Sequence, residues 1–109
     1  MRFYPLDKLI NLNDSYARAF KIDSIRLLLI QRAGEVFIIE SHCPHKEHPL
    51  ELASIDKGVI QCALHHYQFA INDGHLIQAT EEPCRALKTY EVIYEGNEVG
   101  LMLDDAHSI

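Results

Sequence analysis

The chain has 109 residues, 48% hydrophobic and 24% charged, which is enough for one globular domain with a core of its own. Its formal charge of −6 argues against a nucleic-acid binder, which needs a basic footprint. The longest strictly apolar run covers residues 27–30, far short of a membrane span.

Asp7 and Lys8 stand where the apolar centre of a secretory signal would run. Three cysteines, Cys43, Cys62 and Cys84, are an odd number that fits a disulfide framework poorly. The expected compartment is the cytoplasm, where cysteines beside histidines point to metal or catalysis.

Phe3 and Tyr4 are β-formers, followed by a polar turn and room for a helical turn within residues 6–11. Residues 15–22 and 24–32 read as strands with Asp23 as the turn between them; Tyr16, Phe20 and Ile22 share one face with Arg18. Ala33 and Gly34 turn the chain into 35–40, whose four consecutive apolar residues predict burial on both faces.

A histidine-rich loop follows, with weak helical character over 49–54. Residues 58–62 and 68–71 are expected strands, 72–74 (NDG) a hairpin turn, and 75–80 the returning strand. The chain ends in a hairpin, 87–94 and 98–103 about the turn 95–97. Seven to nine short strands predict an all-β sandwich or barrel. The last six residues read as frayed.

Two motifs flank the 58–62 strand. One is Cys43-Pro44-His45 and the other Cys62-Ala63-Leu64-His65, with sixteen residues between His45 and Cys62. Each supplies one thiolate and one imidazole from a tight turn. Pro44 and Pro49 stiffen the first loop. The residues alone leave three readings open. A structural zinc accepts two cysteines and two histidines, although zinc-finger spacings pair like with like. A Cys43–Cys62 disulfide leaves the histidines unexplained. A [2Fe–2S] cluster with cysteines on one iron and histidines on the other uses all four.

The pattern C-P-H-x16-C-x-x-H resembles the Rieske signature. "CPHKEHPL" and "CALHHYQF" resemble its two ligand loops, and "PCRALKTYEV" (83–92) its proline loop. The resemblance implies an all-β Rieske-like sandwich, a single domain over 1–109 with a cluster-binding subdomain inserted at about 41–85. It implies one Rieske-type [2Fe–2S] cluster per chain, with Cys43 and Cys62 on the buried iron and His45 and His65 on the outer one.

Respiratory members carry a second cysteine in each loop as a disulfide clamp, at positions that are His48 and Leu64 here. They also carry a serine donating to a cluster sulfide where this chain has Tyr67. Fewer donors to the sulfurs imply a potential at the low end of the Rieske range, about −150 mV or slightly higher. The family usually has glycine, which allows positive φ, where this chain has Glu47 and His66.

The implied function is electron carriage from a flavin-dependent reductase to a terminal aromatic-ring oxygenase, with no catalysis, nucleic acid or membrane of its own. The alternative is a Rieske-type small subunit of a reductase, as in assimilatory nitrite reductase. His42 and His48 are read as solvated or carbonyl-capping loop residues, with a docking rim as the alternative. Cys84 is read as a small apolar core residue, Tyr67 and Phe69 as packing beneath the second loop, and Pro83 as part of a shielding loop.

Overall fold

The computed structural model describes residues 2–44, 48–63, 66–80 and 84–103. Eleven strands and one 3-10 turn occur among them. The order is β1 (Arg2–Lys8), the 3-10 turn Leu9–Asn11, β2 (Ala17–Ile22), β3 (Ile25–Arg32), β4 (Glu35–Glu40), β5 (Ser54–Asp56), β6 (Val59–Gln61), β7 (Gln68–Ala70), β8 (Leu76–Gln78), β9 (Thr89–Tyr90), β10 (Ile93–Glu95) and β11 (Glu98–Leu103). They form three antiparallel sheets, ordered β1-β11-β10, β2-β3-β4-β9 and β5-β6-β7-β8.

The middle sheet separates two apolar cores. Side chains alternate across a strand, so Leu27 and Leu29 of β3 and Ile38 of β4 pack with Val99, Leu101 and Leu103 of β11. Leu28, Ile30 and Ile39 point the other way, towards Leu50, Ile60, Tyr67, Phe69 and Leu87. Burial on both faces, expected for residues 35–40, is what Ile38 and Ile39 show. Tyr16, Phe20 and Ile22 share one face against the first of these cores, and the Arg18 guanidinium lies 5.4 Å from the centre of the Phe20 ring.

Turn chemistry fixes the registers. Ala33 and Gly34 both have positive φ, as do Lys57 and Gly58. This is the twist that a two-residue antiparallel hairpin needs. Pro5 is accommodated because β1 is a sheet edge, with a register shift between Pro5 and Asp7.

One expectation is met in part and two fail. A helical turn does form within residues 6–11, but only over Leu9–Asn11, because Asp7 and Lys8 still pair with β11. Residues 49–54 are not helical; Pro49 bridges His42, a turn follows, and Ser54 opens β5. The expected strand 87–94 is two: β9 pairs with β4, whereas β10 pairs with β11 in another sheet. An uninterrupted apolar-polar pattern cannot reveal that a strand changes partner midway. Among the described residues no helix is long and apolar enough to cross a membrane.

Candidate metal centre

The two cysteine motifs fold into loops of one design. In the first, β4 runs into a short ladder in which Leu50 N donates to Ser41 O (2.8 Å), His42 bridges Pro49, and Cys43 N donates to His48 O (2.8 Å). In the second, Gln61 pairs with Gln68 and Cys62 N donates to Tyr67 O (2.9 Å). Each cysteine is thus the last residue held by its ladder. Each closes its loop through an amide bonded to the carbonyl five residues on. The Gln68 side-chain amide also donates to Gln61 Oε1 at 2.8 Å, across the base of the second loop.

Cys43 and Cys62 are 1% and 2% exposed, both free of disulfides, and belong to one buried cluster. Tyr67 and Phe69, each 0% exposed, lie in that cluster with Leu50, Ile60 and Leu87. The expected packing role of these two aromatics is therefore met. His45 and His65, the two histidines of the motifs, lie outside the described residues, as do Glu47, Leu64 and Pro83.

His66 is exposed and has φ of +60°. Its amide donates to Cys62 O at 3.0 Å, so the turn after the second motif requires a left-handed residue at this position. That is the conformation for which glycine is suited, and a β-carbon there costs on the order of 1 kcal/mol.

His42 is half-buried, with Nδ1 2.7 Å from Ser41 Oγ. His48 contributes its backbone carbonyl to the loop closure. Cys84 is half-buried against the core that holds Cys43 and Cys62, and burial pushes its thiol pKa up. It is therefore held in the neutral form that suits a packing residue.

Sequence reasoning missed the wall beside Cys43. A cleft of about 510 Å³ runs along the first loop, lined by Arg26, Glu40, Cys43, Arg85 and Lys88 among others. Glu40 accepts from Arg85 Nη1 (2.7 Å) and Nη2 (2.8 Å), and from the Lys88 amide (2.6 Å). These partners are 45 and 48 residues apart in the chain, and no local pattern announces them.

The donor set suits an iron–sulfur cluster. Two thiols shielded from water, at equivalent positions of two loops closed in the same way, are the kind of ligands that one iron of such a cluster takes. The Rieske [2Fe-2S] domain model matches residues 2–91. The biphenyl dioxygenase ferredoxin subunit of Pseudomonas sp. (strain KKS102) is 31% identical over 78 residues, which is 71% of this chain and 70% of that protein. Among solved structures, a Sphingomonas yanoikuyae B1 ferredoxin superposes with a TM-score of 0.81 at 25% identity, over 94% of this chain and 100% of its own. The reduced complex between oxygenase and ferredoxin in carbazole 1,9a-dioxygenase contains a chain of the same fold. Its TM-score is 0.76 at 20% identity, over 91% of this chain and 27% of that longer one. The chain belongs to the Rieske [2Fe–2S] domain family, as an electron carrier whose cofactor is a Rieske-type cluster.

Proposed function

We propose that this carrier takes electrons from a flavin-dependent reductase and delivers them to a terminal aromatic-ring oxygenase in the cytoplasm. One cluster would be held per chain by Cys43, His45, Cys62 and His65. The observation that carries the ligand set is the matched closure of two loops, each ending its ladder on a buried cysteine. The domain would span 1–109, with the ligand loops and the sheet β5-β6-β7-β8 as its cluster-binding part, about 41–85.

When bound, the cluster supplies one-electron redox chemistry at a potential raised by neutral imidazoles in place of thiolates. The chain does the rest. The amides of Cys43 and Cys62 close the two loops and so hold both cysteines at matching positions. Tyr67, Phe69, Leu50, Ile60 and Leu87 keep water from the sulfur side. His45 and His65, two and three residues past their cysteines, would hold the outer iron, at the end away from the buried cysteines. Electrons would enter and leave at that end. The dioxygenase ferredoxin relative favours this carrier over the small subunit of a reductase.

Iron and acid-labile sulfide assays test the ligand set. Two of each per chain are expected, with a brown colour bleached by dithionite, and Cys62→Ser should lose both. A Cys62→Ser protein that keeps its full iron and sulfide would refute it. An anaerobic assay with candidate reductases tests the route: a reductase that reduces the loaded protein should then support turnover by an aromatic-ring oxygenase. Reduction by none of them points to a subunit role.

A further inference from the structure

We propose that Glu40 is a positioning residue for the electron-transfer site. It clamps residues 84–88 against the first ligand loop and so sets the charge and water access on the Cys43 side. The inference rests on the reading that Cys43 is a cluster ligand.

Glu40 ends β4, three residues before Cys43, and its side chain is 14% exposed. Its carboxylate is used three times: both oxygens take the Arg85 fork, and Oε2 also takes the Lys88 amide. The backbone reinforces this, with Glu40 N donating to Lys88 O at 2.9 Å. Arg85 Nη1 turns back onto Ala86 O at 3.0 Å. The segment so held puts Leu87, 2% exposed, into the core that contains both cysteines. On its far side Leu87 N donates to Gly74 O at 2.8 Å, which ties it to the β7–β8 turn. Residues 84–88 thus span from the first ligand loop to the cluster-binding sheet, and Glu40 is the side chain that seats them.

Bidentate charge-assisted pairs hold geometry as well as charge. Arg85 is pushed to hold its proton still more firmly, first by its hydrogen bonds to Glu40. The native pair sums to zero charge beside Cys43. Reduction adds one negative charge to the site. An uncompensated Arg85 stabilises the reduced form, and so does added water.

Potential and amide exchange are measured on the loaded protein for Glu40→Ala, for the charge-balanced double variant Glu40→Ala/Arg85→Gln, and for Arg85→Lys. Glu40→Ala should raise the midpoint potential. The double variant restores neutrality but not the clamp. Its potential should stay above that of the native protein, and exchange at the Lys88 and Leu87 amides should quicken at least tenfold. Arg85→Lys keeps the charge and loses the fork, and should fall between native and double variant. It also serves if the Glu40 variants do not fold.

A double variant with native potential overturns the proposal, whether or not exchange quickens, because the pair would then be a surface tie only. A native protein that takes up no iron and sulfide refutes the ligand reading instead, so the two failures are distinguishable.

Discussion

His66 shows how much a single backbone angle can say. The family resemblance marks residue 66 as a glycine position, and the chain keeps the left-handed conformation without the glycine, at φ +60°. The turn is therefore set by the loop closure, Cys62 N to Tyr67 O and His66 N to Cys62 O, and the side chain is accommodated outward into solvent. His66→Gly relieves the β-carbon but restores the entropy of glycine in the unfolded chain. The net expectation is a gain of up to about 1 kcal/mol in stability, read from the urea midpoint at constant m-value. A loss would mean that the imidazole makes a contact the φ value does not reveal. His45→Cys is the complementary test of the proposed outer ligand: an anionic thiolate in place of a neutral imidazole should lower the potential or lose the cluster, as electrochemistry and iron content would show. At this scale the sequence was informative about chemistry, since cysteine and histidine spacing is local. It was silent on Glu40 and Arg85, because a contact across 45 residues depends on which strands meet.

Elements are tied together by a few polar and steric contacts whose removal has predictable signs. Asp7, near the end of β1, accepts from Asn11 Nδ2 (2.8 Å) and from the Tyr16 hydroxyl just ahead of β2, joining the outer sheet to the middle one. These two hydrogen bonds, Asn11 first, hold the Asp7 carboxyl below its usual pKa. Burial, and then the Asp7 bond, push the Tyr16 phenol up to about 12. A depressed carboxyl gives stability that is present above its unfolded pKa and lost as pH falls through the folded value. A raised phenol gives stability that is full below pH 10 and lost as pH rises towards about 12. Tyr16→Phe should therefore shrink both the alkaline fall and the acid one, with the burial-raised Tyr90 phenol keeping part of the alkaline fall, as thermal melts between pH 2 and 12 would show.

Gly74 is the steric counterpart. It has φ of +81°, and a β-carbon there would stand 1.9 Å from Leu87 O. Gly74→Ala should destabilise by more than about 2 kcal/mol, since backbone strain and a clash add, and it should loosen residues 84–88 first. Denaturant unfolding and amide exchange would check both. Most elements were legible beforehand because strand alternation and turn residues are local signals: Ala33-Gly34 and the NDG turn sit where expected. The split of 87–94 into β9 and β10 was not legible, because partner choice is tertiary.

Across the whole molecule, the middle sheet divides the apolar interior into two parts with different dependence on the cofactor. The core of Leu27, Leu29, Ile38, Val99, Leu101 and Leu103 contains no cysteine. The other core has Cys43 and Cys62 among its buried members, and the strands that face the middle sheet across it, β5 to β8, are only three residues each. Strands this short gain little from their own ladders, so with the proposed ligand set the order of that half would depend on what Cys43 and Cys62 bind. Metal binding to sites that form only on folding is folding free energy. Removal of iron should therefore open the molecule unevenly. Amides of Cys43, Leu50, Cys62 and Leu87 should lose most of their exchange protection, whereas those of Leu29, Val99 and Leu101 should keep theirs, as hydrogen exchange on holo and metal-free protein would measure. Equal loss of protection in both halves would mean that the middle sheet transmits cofactor loss throughout and that the domain is one cooperative unit. Retention in both would mean that Tyr67, Phe69 and their apolar neighbours hold the ligand loops without help.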